Sequence, residues 1–186
     1  MIKSKEDLYE FLKIDNCNHW ERKTARLNLF YRQDEFYYIS KYLKLLRKQE
    51  FYVNNIKNNK IFIIFYLFYT IRKNRLGNRI NLIIPENTLG KGVTICHKNI
   101  VINPNVKIGE YCILHGNNCI GNDGRHNEAP IIGSSVNIGY GACIIGDIHI
   151  ADNIQIGANA LVNKSFDNKD CTIAGVPAKY RGGNWA

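Results

Sequence analysis

From Ile132 onward every sixth residue is aliphatic: Ile132, Ile138, Ile144, Ile150, Ile156 and Val162. Four residues after each stands a second apolar side chain, at Val136, Ala142, Ile148, Ile154, Ala160 and Phe166. The phase extends upstream through Ile120, Leu114, Ile108 and Ile102. It reaches Ile95 and Leu89 once a single extra residue, Val101, is allowed. Neither a helix, with a period of about 3.6, nor a strand, with a period of about 2, repeats every six residues. Three short strands joined by tight corners do. They make a triangular coil of about eighteen residues in which each aliphatic side chain stacks on its counterpart one coil away. Residues 81–166 are therefore expected to wind into a left-handed parallel β-helix. Gly109, Gly121, Gly133, Gly139 and Gly157 mark corners where a side chain would crowd or φ is positive.

The phase breaks between Ile120 and Ile132. There GNDGRHNEAPI (residues 121–131) carries Gly, Asn, Asp and Pro and reads as a loop thrown out from one corner, a common place for function. Residues 167–186 leave the repeat and are expected to cap the last coil. The first 80 residues differ in kind. They hold 17 Lys/Arg against 8 Asp/Glu, whereas residues 81–186 hold 8 of each, so a domain boundary is expected near residue 80. Helices are expected from Ser4, with Glu6 and Asp7 in the first turn, over roughly Glu35–Gln49, and over Ile61–Arg75. The basic part matches no nucleic-acid-binding motif, and its charges are spread through apolar helices. Within it, IFIIFYLFYTI (residues 61–71) is too short for a bilayer span of about 20 residues. It reads as a helix buried against the protein or a neighbouring subunit, or else as an interfacial helix with a basic flank that makes peripheral membrane contact. The charged, amphipathic start is unlike a secretory signal, and six cysteines without a CxxC pair suggest reduced, buried thiols in a cytoplasmic protein.

Acyl transfer to a hydroxyl needs a base near neutral pH and a donor for the oxyanion, often a backbone N–H. Four histidines lie in the repeat half: His97, His115, His126 and His149. His97 sits beside the Val101 insertion and His115 lies eighteen residues on, so stacked coils are expected to put the two on one side of the prism, roughly 5 Å apart. His126 lies on the protruding loop, and His149, in a regular hexad, reads as a surface residue. No two histidines have the H-x4-H spacing of a zinc hydratase built on such a helix, and no metal is expected.

The repeats, the segment GKGVTICHKNIVINPNVKIGEYCILHGNNCIGNDG and the closing IAGVPAK resemble the hexapeptide-repeat acyltransferases over residues 80–186. The similarity is greatest to the serine acetyltransferases and the related O-acetyltransferases of capsule and exopolysaccharide clusters. This resemblance implies a homotrimer with its active sites in clefts between adjacent β-helices, and acetyl-CoA as acyl donor. It places His97 on the catalytic base, with His115 beside it, and His126 on an acceptor-side loop histidine. Gly121, Gly139, Tyr140 and Ala158 fall along the pantetheine arm, and Lys179 falls where a cation meets coenzyme phosphates. Two carboxylates of the serine enzymes are replaced here, by Cys96 and by Leu82, which leaves a serine ammonium without a partner and the histidine without its orienting acid unless another residue substitutes. On that ground the acceptor is expected to be a sugar hydroxyl of a surface polysaccharide, held by neutral groups such as Asn117, Asn118 and Asn122. Serine is the alternative acceptor, and a non-enzymatic β-helix scaffold the alternative of another class.

Overall fold

Every aliphatic position picked out by the period of six is buried, from Leu89 to Phe166. In the computed structural model of the chain, residues 1–17, 31 and 34–181 are described. The coil has three sides. One is a parallel sheet of β1 (Leu82–Ile83), β3 (Ile100–Ile102), β6 (Cys119–Gly121), β9 (Cys143–Ile145) and β12 (Leu161–Val162). A second holds β4 (Lys107–Ile108), β7 (Ile131–Ile132) and β10 (His149–Ile150). The third holds β2 (Thr94–Ile95), β5 (Ile113–Leu114), β8 (Asn137–Ile138), β11 (Gln155–Ile156) and β13 (Thr172–Ala174), with β14 (Lys179–Arg181) antiparallel at its end. Val101 pairs with Cys119 eighteen residues on, whereas Cys119 pairs with Cys143, because the loop adds one side's worth of chain. The cap thus begins as a further rung, β13 on β11, before the chain reverses.

The corners divide labour between asparagine and glycine. Left-handed backbone falls most often on asparagine, at Asn99, Asn117, Asn153 and Asn159, which tolerate it better than most residues, and also on Tyr111, Ser135, Gly116 and Gly141. Gly109, Gly133, Gly139 and Gly157 are needed for space: a Cβ at any of them would lie 2.5–2.8 Å from the neighbouring coil. Of the two reasons anticipated for these glycines, crowding is the operative one.

Three helices precede the coil among the described residues: α1 (Lys5–Cys17), α2 (Glu35–Asn55) and α3 (Phe62–Ile80). Ser4 Oγ accepts from the Asp7 N–H and Asp7 Oδ2 from the Ser4 N–H, a reciprocal cap that starts α1. Asp34 caps α2 by accepting from the Phe36 N–H. Asn81, with φ of 52°, ends α3 and turns the chain into β1. The change from helix to strand comes where the charge changes, yet packing does not divide there. Ile39, Tyr42, Leu43, Leu46 and Ile80 belong to the same buried cluster as the coil interior. Arg47, fully buried, cements the join. Its guanidinium meets Asp15 at 2.8 Å and Glu50 at 3.0 Å and donates to the Leu89 and Gly90 carbonyls of the first coil.

Two expectations are corrected. The apolar run 61–71 is not buried within the chain: Ile61, Ile63, Ile64, Phe65, Leu67, Phe68 and Ile71 are exposed, the rings of Phe62, Phe65 and Tyr69 lie against Tyr52 of α2, and the buried residues of α3 are Lys73, Gly77 and Ile80. Nor are the thiols uniformly buried. Among the described side chains Cys112 is buried and Cys119 exposed, with Cys96, Cys143 and Cys171 between; the side chain of Cys17 lies outside them. Outward positions of a regular coil are as open to cysteine as to any small residue.

Candidate active site

His97 stands at the corner between β2 and β3, half-exposed, with its Nδ1 2.6 Å from Glu35 Oε1. Glu35 is the first residue of α2, so the cap that starts the helix also sets the carboxylate. The Phe36 ring lies 6.2 Å from the imidazole and the Tyr140 ring 6.3 Å, edge-on. A carboxylate at Nδ1 favours, in the neutral ring, the tautomer whose proton lies there and whose Nε2 lone pair is available. The corner is built for this side chain. Gly116, at φ of 110°, lies over it, where a Cβ would come within 2.6 Å of His97 Cβ. Asn118 occupies a position that Ala142 and Ala160 fill in later coils, and it is buried with its amide fully used. Its Oδ1 accepts from the Gly116 N–H, and its Nδ2 donates to the Gly139 and Ala142 carbonyls.

The extra residue is absorbed in the 97–99 corner, and it shifts the stacking. Ile95 pairs with Leu114, so His115 follows in the place of Cys96 and His97 faces Gly116. The two histidines are one register apart rather than stacked, and His115, partly buried, donates its backbone N–H to the Ile138 carbonyl at 3.0 Å.

Corners from successive coils align along the same edge as His97. Asn117 donates its N–H to the Lys98 carbonyl, Gly141 to Gly116 and Asn159 to Tyr140. Gly139, Tyr140 and Ala158 therefore share the His97 edge, and Lys179 closes it after the Gly175 turn, where the Leu161 N–H bonds the Gly175 carbonyl. Five strand steps separate Lys179, in β14, from the His97 corner after β2, about 24 Å at the usual strand spacing. Asn117 lies on this edge too, beside a cleft of about 500 Å³ lined by Asn78, Asn81, Asn99, Val101 and Cys119.

Gly121, Asn122 and His126 lie elsewhere. Gly121 ends β6 and Asn122 and His126 follow it, at the edge between the first and second sheets, so within one chain the loop and His97 occupy different edges of the prism. Asn122 donates to the His126 carbonyl at 2.6 Å and closes the loop. The Asp123 carboxylate accepts from the backbone N–H groups of Arg125 and His126, which hold its pKa below the usual range, and Oδ2 lies 3.4 Å from His126 Nδ1. His149, exposed, pairs with Asp167 at 3.0 Å.

The carboxylate that meets His97 is Glu35, a substitute of the kind the sequence left open for the acids missing at Cys96 and Leu82. Nothing along the chain links Glu35 to a histidine 62 residues away; only its place in the first turn of a capped helix was visible. Asn118, expected to help hold a sugar, is instead buried with its amide spent on backbone, and Gly116 carried no signal in the sequence.

No family model matches the chain. It is 33% identical over 104 residues to a serine acetyltransferase of Synechococcus elongatus, a match covering 53% of this chain and 42% of that one. The chain thus spans less than half the length of this curated relative. Among solved structures, soybean serine acetyltransferase complexed with serine superposes with a TM-score of 0.69 at 20% identity, covering 94% of this chain and 69% of that one. Serine acetyltransferase of Brucella abortus in complex with coenzyme A gives 0.68 at 20% identity, covering 95% and 68%. About half of this chain is thus similar in sequence to the serine acetyltransferases, hexapeptide-repeat acyltransferases, and nearly all of it shares their fold.

Proposed function

We propose that the protein is an acetyl-CoA-dependent O-acetyltransferase in which His97 is the general base and L-serine the acceptor. The observation that carries this is the 2.6 Å contact from Glu35 Oε1 to His97 Nδ1, at the head of the edge that Gly139, Tyr140 and Ala158 share. His97 Nε2 takes the proton of the acceptor hydroxyl as its oxygen attacks the thioester carbonyl. A backbone N–H of the corner stabilises the tetrahedral oxyanion. The C–S bond then breaks, and the departing thiolate of coenzyme A receives the proton from the imidazolium. Coenzyme A lies along the His97 edge, past Gly139, Tyr140 and Ala158, with its phosphates toward Lys179. The remaining oxygen of Glu35 is free to accept from a serine ammonium, which supplies part of the charge that Cys96 and Leu82 do not.

The helix winds left-handed, and the active unit is a trimer. The split of His97 and the 121–131 loop between two edges supports this, since a neighbour's loop would complete the cleft. So does an outward ladder of Ile83, Val101, Cys119, Cys143 and Leu161, in register on the five-stranded sheet. A single-chain mass by light scattering at micromolar concentration would refute the trimer.

A second reading, transfer to a sugar hydroxyl, is favoured by the cleft beside His97, whose polar lining consists of neutral asparagines. Thiol release from acetyl-CoA, measured against L-serine and a panel of nucleotide sugars, separates the two. Serine is expected to give the higher kcat/KM, near 10⁴ M⁻¹s⁻¹ or above on the order of ordinary metabolic enzymes. A sugar ahead of serine would reverse the assignment of acceptor.

A further inference from the structure

The helix α3 exposes what a helix packed in a globular protein hides. Seven apolar side chains between Ile61 and Ile71 are 42–63% exposed, over about 16 Å of helix. Cations flank them at both ends: Lys57 and Lys60 before, and Arg72, Arg75 and Arg79 after. Lys41 of α2 joins the three arginines, with Leu45 and Leu76, around a cleft of about 210 Å³ that no carboxylate lines. No residue of α3 is acidic.

We infer that this face docks the protein on an anionic lipid surface, with the apolar residues in the headgroup–acyl boundary and the arginine cleft on lipid phosphates. An apolar centre between basic ends is the pattern of a helix lying in the interface plane. Spanning is excluded among the described residues, where no helix is long and apolar enough to cross a membrane. A second copy of the chain fits less well. It would bring arginine near arginine with no acid on the helix to pair with, whereas a phosphate-rich surface supplies the missing charge. The inference is independent of the acetyltransferase reading.

The test is co-sedimentation of the full chain with phosphatidylcholine vesicles, with and without phosphatidylglycerol. Binding is expected to the anionic vesicles alone and to weaken as salt is raised, which requires no variant. Replacing the arginines together (R72Q, R75Q, R79Q) is expected to weaken partitioning on the order of 100-fold, from about 1 kcal/mol per cation near the surface. The pair I64S and I71S is expected to weaken it as well, with acceptor-dependent thiol release unchanged in both variants. Wild-type protein left in the supernatant, salt-insensitive binding, or either variant binding as wild type does, would each overturn the inference. So would a halved solution mass for I64S/I71S without vesicle binding by the wild type, which would make the face a self-association surface.

Discussion

An imidazole at a surface corner is an indifferent base until something fixes which of its nitrogens is free. In the proposed reaction that is the part of Glu35, and its contribution can be separated from that of His97. Glu35→Ala is expected to lower kcat about 10- to 100-fold, the worth of a hydrogen bond of about 1.5–3 kcal/mol to a charged group. KM for acetyl-CoA should hold, and Glu35→Asp should recover part of the loss. Unchanged kcat in steady-state assays of Glu35→Ala would reduce the contact to a surface ion pair. His97 itself was legible in the sequence, because it sits where the period of six slips by one. Its partner was not, because the contact is made between a helix start and a coil corner. The loop histidine, His126, stood out equally in the sequence. The structure puts it on another edge of the prism, since one loop position in a three-sided coil belongs to one corner only.

At the scale of elements, the coil was readable because each in-phase aliphatic residue repeats one decision: to point into the prism. The corners were half readable. Glycine marks crowding in the sequence, while the left-handed turns fall most often on asparagines that read as ordinary polar residues. The helices could be placed but not their faces, since the apolar run of α3 looks the same whether buried or open. Least visible was the join between helices and coil, which rests on Arg47. Arg47→Met is expected to destabilise the protein by about 3–5 kcal/mol, because Asp15 and Glu50 would remain buried without a cation. Urea unfolding measures this. The triple variant with Asp15→Asn and Glu50→Gln should regain much of the loss, and a single variant as stable as wild type would mean that water already reaches those carboxylates.

For the whole molecule, one continuous core runs from α2 through the last rung. The helical part is thus a wall of the site, and it brings Glu35 to a corner of the first coils. In the proposed reaction the edge from His97 to Lys179 is the donor's track, while the loop stands on another edge. The measurement that tests the central claim most directly is acceptor-dependent thiol release from acetyl-CoA by wild-type protein and by His97→Ala, side by side. Wild-type protein is expected to release coenzyme A only when an acceptor hydroxyl is present. His97→Ala should be slower by about 10²–10⁴ while still binding coenzyme A. No acceptor-dependent release from the wild type, or equal rates from the two proteins, would contradict His97 as the base of an acetyl transfer.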